Sequence, residues 1–418
     1  MQVKLISSND MHGGANIAAF RLLQGLKSVG LSSAELVVQN KFSGDPAVTA
    51  RMTCFCKMYG RLLPYLDPLP KLLYPKRHRD AWSCNILPNP CLGGMLASAD
   101  VINLHWVGGG TLPIQAIGRL NKPIVWTLHD SWAFTGGCHI PYDCTRYEDE
   151  CGHCPQLRSG RERDLSRTIW EKKLRAWQRL QMLIVAPSTW MASTATTSSL
   201  FENLPIEVIP NGLDTTIFNV ADKQEARRVL GLPERTQLVL FFAMGGINNW
   251  NKGADLLSES LGIIKAARPN DELMLVTAGT RSSPPAGYFP VPCINLGRVD
   301  DDRQKRLMYA AVDLTAVPSR SESLGYVAME SMACGTPCVG FSIGGLPDIV
   351  DHRVNGFLAE PYSTNDFSAG ITWLLAERAC SERVCSAARE KIIAKFCHIK
   401  TAQQYRDSYV RSFGEKLL

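Results

Sequence analysis

The 418-residue chain lacks any apolar run able to cross a bilayer; its long charge-free stretches, such as residues 182–201, are full of Ser and Thr. A spanning helix needs roughly 18–20 predominantly apolar residues, so no transmembrane segment is expected. The opening residues pass straight into a strand-like run without the basic, apolar and small-residue regions of a secretion signal, so secretion is not expected either. Fixed-period repeats and low-complexity tracts are also missing, which excludes solenoids and fibrous arrays. What is present is 45% hydrophobic, 20% charged and 8% aromatic residues, enough to bury sizeable cores and too ordered a composition for a disordered chain. The length suits two domains.

Fourteen cysteines, in a chain expected to be cytosolic, read as buried thiols or metal ligands rather than as a disulfide framework. The net charge of +6 is uneven: residues 1–206 carry 22 Lys/Arg against 15 Asp/Glu, whereas the remainder is close to neutral. A basic half suits an anionic partner. Two segments concentrate that charge. Residues 51–80 hold seven Lys/Arg with only Asp67 and Asp80 as acids, interleaved with Tyr, Leu and four prolines, the composition of an exposed insertion. Residues 158–179 set eight Lys/Arg around Trp170, Leu174 and Trp177 at helical spacing. That pattern suits a membrane-surface or anion-facing helix, or a solvated helix whose tryptophans pack on the core.

Short Val/Ile/Leu runs at residues 3–6, 35–38, 101–104, 124–128 and 183–186 are each followed by a segment of helical spacing. The same alternation resumes at 238–242, 273–277, 313–317 and 337–341. Strand–helix alternation of this kind predicts parallel sheets flanked by helices, so two doubly wound α/β domains are expected. A Pro210-Asn211-Gly212 turn separates the two sets. The expected division is residues 1–208, residues 209–385 and a helical segment, 386–418.

Chemistry concentrates at strand ends. After the strand ending at Val317 comes Pro318-Ser319-Arg320-Ser321-Glu322-Ser323-Leu324-Gly325-Tyr326, with Glu330 further on and Gly335 as a stop. A helix capped at Ser321 or Ser323 would place Glu330 about 12 Å along the axis from Glu322. The amides of Ser323, Leu324 and Gly325 at its start would favour an anion. Lys252, in Trp250-Asn251-Lys252-Gly253, offers a point charge next to another helix start. Gly13 and Gly14 permit a tight turn after the first strand, suited to backbone amides near phosphate, but the full three-glycine dinucleotide fingerprint is not there. His129, in Thr127-Leu128-His129-Asp130, and His105 close two further strands at the end where open parallel sheets place ligands. Cys138, Cys144, Cys151 and Cys154 follow within 17 residues, ending in a Cys-Gly-His-Cys knuckle. Four such thiolates suit a closed structural zinc site, with free thiols and disulfides as the alternatives.

The Glu322/Glu330 stretch, together with Gly344-Gly345-Leu346-Pro347-Asp348 and Asn355-Gly356-Phe357, resembles the donor-binding half of glycosyltransferase family 4. The resemblance extends from Ser7 to about Phe357. It implies the GT-B fold, two Rossmann-like domains with a cleft between them, and a retaining hexosyl transfer needing no metal or other cofactor for catalysis. By that likeness Glu330 binds the ribose, Glu322 the donor hexose and Lys252 the diphosphate, while His129 lies beside donor sugar and acceptor. The family's Gly-Arg after the preceding strand is here Met244-Gly245-Gly246-Ile247-Asn248, so Arg298 or Arg320 would have to supply the second cation.

The chain is closest in character to the bacterial exopolysaccharide and O-antigen branch, where cysteine-bearing loops recur at this place. This implies a UDP- or GDP-sugar donor, a saccharide acceptor carried on a lipid, and a cytoplasmic protein in peripheral contact with the inner membrane face. Nucleic acid is not an expected partner. Two other functional classes fit parts of the pattern. One is a zinc-containing nucleic-acid-binding protein, suggested by the cysteines and the basic 158–179 segment. The other is a sugar-nucleotide-modifying enzyme, which would need the nicotinamide fingerprint that is missing.

Overall fold

The computed structural model describes residues 1–51, 53–78, 81–376 and 378–414, the side chains of 378–381 apart. Arg79 and Asp80 of the basic insertion and residues 415–418 lie outside the described residues. The chain divides into two compact units, residues 1–212 with 398–418, and residues 213–397.

The first unit runs β1 (Val3–Asn9), α1 (Gly14–Ser28), β2 (Glu35–Asn40), β3 (Val48–Thr49), α2 (Cys54–Leu66), β4 (Val101–Leu104), α3 (Ile114–Ile117), β5 (Ile124–Thr127), α4 (Leu165–Trp177), β6 (Met182–Ala186), α5 (Thr189–Thr196) and β7 (Ile206–Val208). Its seven strands are all parallel, in the order β3-β2-β1-β4-β5-β6-β7. The second unit runs α6 (Lys223–Leu230), β8 (Gln237–Phe242), α7 (Ala254–Ala267), β9 (Leu273–Ala278), β10 (Cys293–Asn295), α8 (Asp302–Ala311), β11 (Leu314–Val317), α9 (Tyr326–Ala333), β12 (Cys338–Phe341), α10 (Leu346–Ile349), β13 (Gly356–Ala359), α11 (Thr364–Leu375) and α12 (Arg378–Phe396). Its parallel order is β10-β9-β8-β11-β12-β13. In both sheets the order reverses beside the first strand of the unit, the doubly wound arrangement that leaves a crevice at the strands' carboxyl ends.

The continuous apolar character of the strands has a direct cause. Along each strand alternate residues enter different cores: Val101 and Val125 pack on one face of the first sheet, Ile102, Ile124 and Trp126 on the other. In the second sheet Leu238 and Leu240 face one core, Val239 and Phe241 the opposite one. With helices on both faces no strand can show a polar side.

Two findings depart from the sequence reading. The 386–418 segment is not a piece of its own: it splits at residue 397, α12 belonging to the second unit and α13 (His398–Phe413) returning to the first. The cause is a fit. Gly25 on α1 has no side chain, and a Cβ there would stand 2.9 Å from both the Ala402 Cβ and the His398 carbonyl oxygen, so the two helices meet closely. The Tyr409 hydroxyl accepts from Asn103 Nδ2 at 2.7 Å, and the Tyr405 hydroxyl bonds Thr127 Oγ1 at 3.0 Å, inside the core and two residues before His105 and His129. Second, Cys56 and Cys91 form a disulfide.

Tyr409→Phe leaves the buried Asn103 amide short of an acceptor. The expected cost is about 1–3 kcal/mol, read as a lowered unfolding midpoint of the first unit.

Candidate functional site

In the second unit the loops after β8, β11 and β12 converge. The Lys252 ammonium meets Glu322 Oε1 at 2.5 Å, and Ser319 Oγ donates to the same oxygen at 2.8 Å. The Glu322 backbone is fixed as well, since its carbonyl accepts from the Gly345 amide at 2.9 Å. Gly344 has φ +52°, and any Cβ on it would overlap that carbonyl. A residue with a side chain could not take this place. The neighbouring loop is tied in the same manner: Asn251 Nδ2 donates to the Ser321 carbonyl at 3.0 Å and the Arg320 amide to the Asn251 carbonyl at 2.7 Å. A Cβ on Gly253 would overlap the Pro318 carbonyl.

α9 starts later than the sequence suggests. Its N-cap is Gly325, at φ +115°, so Glu322 stands in the preceding loop and the helical spacing between the two glutamates does not apply. The reason is the Gly345 contact, which holds the Glu322 backbone against the 344–346 turn. With glycine as the cap and no acid in its first turn, the start of α9 keeps the positive end of the helix dipole uncompensated by side chains. α1 begins in the same way, with Gly13 as N-cap at φ +89°, no side-chain cap and no first-turn acid. Glu330 is buried in α9 and accepts from the Tyr309 hydroxyl at 3.0 Å. Burial, then the adjacent Glu330, pushes the Tyr309 phenol well above its usual range, so it remains a donor.

In the same unit a cleft opens at the ends of β8 and β9, lined by Gly245, Gly246, Thr277, Thr280, Ser283 and Pro284. The Met244-Gly245-Gly246 stretch thus shapes a wall where the family likeness expects a cation. Neither arginine proposed as the replacement belongs to the Glu322 cluster by a bond. Arg298 pairs with Asp300 at 2.6 Å. The Arg320 guanidinium bonds both oxygens of Asp255, at 2.9 and 2.5 Å, and stacks on the Trp250 ring. That pairing, more than burial opposes it, holds the Asp255 carboxyl below its usual range. Arg320 therefore braces the loop.

In the first unit His105 and His129 stack with a 2.9 Å bond between His105 Nδ1 and His129 Nε2. Burial brings His129 down to about 4 against the opposing effect of Asp130, and burial with the neighbouring His129 holds His105 well below its usual value, so both rings are neutral at pH 7. Asp130 leads into a second array: its Oδ2 accepts from His139 Nδ1 at 2.6 Å and from Trp106 Nε1 at 2.9 Å, and His139 Nε2 bonds Ser83 Oγ at 2.9 Å. Burial would raise the Asp130 carboxyl, but the charge and hydrogen bond of His139 with the donors of Trp132 and Trp106 hold it below the usual range. At the end of β1, Asn9 Oδ1 accepts from the amides of Met11 and His12, closing the turn that presents Gly13 and Gly14.

For the cysteine loop the sequence leaves open a zinc site, free thiols or disulfides. Among the described residues no group of three or more His, Cys, Asp or Glu is placed to hold a metal ion. Cys138, Cys144, Cys151 and Cys154 are free. Burial pushes the Cys151 thiol up to about 12 and raises Cys138 and Cys154, which keeps them protonated. The basic 158–179 segment takes the second of its two readings, a solvated helix packed on the core: Ile169, Trp170, Lys173 and Trp177 of α4 are buried, while Thr168 and Arg175 are exposed. The Lys173 ammonium lies 3.8 Å from the Trp132 ring centre and donates to the carbonyls of Trp132 and Thr135. Ser319, Tyr309, Ser83 and His139 carry no signal in the sequence, because each acts through a partner that only the fold brings near.

Comparison with known proteins follows the same division. Residues 13–217 match the family described as Glycosyltransferase Family 4, and residues 222–391 match Glycosyl transferases group 1. A D-inositol 3-phosphate glycosyltransferase of Segniliparus rotundus is 36% identical over 41% of this chain and 39% of its own length. An uncharacterized glycosyltransferase of Methanocaldococcus jannaschii is 27% identical over 65% of this chain and 70% of its own. The chain thus spans about half or less of the inositol-phosphate enzymes it matches. Among solved structures, the sucrose-phosphate synthase of Thermosynechococcus elongatus covers 99% of the chain and all of its own, at TM-score 0.67 and 19% identity. Anabaena HepE in complex with UDP and glucose covers 98% of the chain and all of its own, at 0.66 and 18%. These likenesses establish the GT-B fold.

One consequence of the histidine pair is measurable. The unfolded chain takes up a proton on His129 near pH 6.5, the folded chain near 4. Stability from this group is therefore complete above pH 6.5 and is lost as pH falls from 6.5 to 4, by up to about 3 kcal/mol. Urea unfolding across that window is expected to show the loss, and His129→Gln to reduce it.

Proposed function

We propose that the chain, whose residues 13–217 match Glycosyltransferase Family 4 and whose residues 222–391 match Glycosyl transferases group 1, moves a hexose from a nucleotide diphosphate sugar to a saccharide acceptor with retention of anomeric configuration. The observation that carries this reading is the Glu322 carboxylate, held by Lys252 and Ser319 in the loop before the uncapped start of α9. A diphosphate is the ligand that such a helix start together with a lysine suits best. Glu330, further along α9, is the acceptor for the ribose hydroxyls, and Glu322 for the hydroxyls of the hexose. HepE holds UDP and glucose, which supports a UDP-sugar in preference to a GDP-sugar.

The transfer breaks the bond between the anomeric carbon and the diphosphate oxygen and forms one from that carbon to the acceptor oxygen. The acceptor's proton leaves on the departing diphosphate. Lys252 and the amides before α9 stabilise the negative charge that develops there, the kind of fixed electrostatic contribution worth about 10²–10³ in rate. The neutral imidazole of His129 can donate to or accept from sugar hydroxyls without adding charge. Since these groups supply the positive field, the reaction needs no metal. The setting proposed is cytoplasmic, at the inner membrane face, with a lipid-linked acceptor of surface polysaccharide synthesis. No helix among the described residues is long and apolar enough to cross a membrane.

Glu322→Ala is expected to lower the release of nucleoside diphosphate from a sugar nucleotide by about 10²–10³-fold. Full activity in both this variant and Glu330→Ala would overturn the site. UDP at about 100 times its dissociation constant should raise the melting temperature by several degrees, an effect lost in Glu330→Ala. Activity in excess EDTA should match that in its absence; loss restored by a divalent ion would contradict metal-independent catalysis.

A further inference from the structure

α2 and the short helix after it, Leu69–Leu73, carry two apolar stripes where a soluble surface helix carries one. The inner stripe is Cys56, Gly60 and Leu63. It is seated firmly: Cys56 is bonded to Cys91, and Gln39 Nε2 donates to the Gly60 carbonyl at 2.8 Å. The outer stripe is Phe55, Met58, Leu62, Tyr65 and Leu66, continued by Leu69, Leu72 and Leu73, in steps of three or four residues. Leu73 and Tyr65 are 80% and 78% exposed, and Met58 and Leu72 each 58%. Isolated exposed apolar residues are ordinary; eight within 19 residues of two successive helices are not.

The charges around this row are of one sign. Arg51, Lys57, Arg61 and Lys76 are exposed, whereas the sole acid among the described residues of 51–78, Asp67, is 1% exposed and accepts from the Asn85 amide. We propose that the α2 face, residues 54–73, docks in the interface of an anionic phospholipid bilayer, its outer apolar row in the acyl boundary and Lys57, Arg61 and Lys76 against lipid phosphates. A basic amphipathic helix of this build lies in the plane of such an interface. A second copy of the chain is the poorer occupant, because a two-fold contact through this face would set Lys57 and Arg61 against a uniformly basic surface. This assignment moves the membrane contact from the 158–179 segment, whose apolar side is buried, to the 51–80 insertion. It rests on the proposed setting at the inner membrane face and gives that setting its contact surface, while its test needs no donor or acceptor.

The test is flotation of the full chain with vesicles of phosphatidylcholine alone or doped with phosphatidylglycerol, at low and high salt. Binding is expected to the doped vesicles and to weaken with salt. Lys57→Gln and Arg61→Gln should each weaken it by about fivefold. The triple change Leu62→Ser, Leu72→Ser and Leu73→Ser should abolish it while the UDP-dependent rise in melting temperature persists, which shows the fold intact. No binding by the unaltered chain, equal binding to both vesicle types, or binding indifferent to both sets of changes overturns the proposal. So does a dimer in solution that the triple change dissociates.

Discussion

The clamp on Glu322 is the constraint on which the geometry of the second unit's strand-end loops rests. A carboxylate largely withdrawn from water is tolerable only when charge and hydrogen bonds compensate its lost hydration, and Lys252 and Ser319 do both. The backbone half of the clamp is as demanding. The Gly345 amide has to reach the Glu322 carbonyl, which requires a left-handed turn at Gly344 and no side chain there. Three loops from three strands are thereby fixed in one arrangement, and the helix that follows begins where the clamp releases the chain. Arg320 serves the same end from outside, joining Asp255 and Trp250 across the loop.

The first unit solves a similar problem with neutral groups. His105 and His129 project from adjacent strands, and their rings are kept uncharged by the protein packed around them. Two residues before them in the chain, Asn103 and Thr127 are polar residues buried among apolar ones. They are satisfied by the tyrosines of α13 and by the 3.0 Å bond between them. A partly satisfied network of this kind would be worse than an apolar one, so the tyrosines also fix where the strand ends point. Burial here costs charge and returns rigidity.

Much of this was legible in the chain itself. The nine expected strands all form, because a sheet covered on both faces leaves a continuous apolar run that stands out from its surroundings. The short strands β3, β10 and β13 gave weaker signals, being two to four residues at the margins of their sheets. Glu322 and Lys252 stand out as site residues only through the family resemblance of their stretches, and the structure sets them in contact. The start of α9 was misjudged because serine is the better helix cap locally, and a contact from a loop 20 residues away decided otherwise. The 158–179 helix was ambiguous in principle: charge density cannot tell which side of a helix faces water, and α4 turns its tryptophans inward. The Cys56–Cys91 pair could not be selected among fourteen cysteines by spacing.

The return of α13 to the first unit makes the second unit, in effect, an insertion within the first. The order of synthesis then runs against the order of completion. Residues 213–397 are contiguous and can close their core as soon as they emerge, whereas the first unit, begun earliest, waits for a helix made after all of them. Until then the groove beside Gly25 is open and the Asn103 and Thr127 side chains lack their tyrosine partners. Until α13 is made the nascent chain carries an unfinished first unit, and that unit, not residues 213–397, is where a chaperone would have work to do.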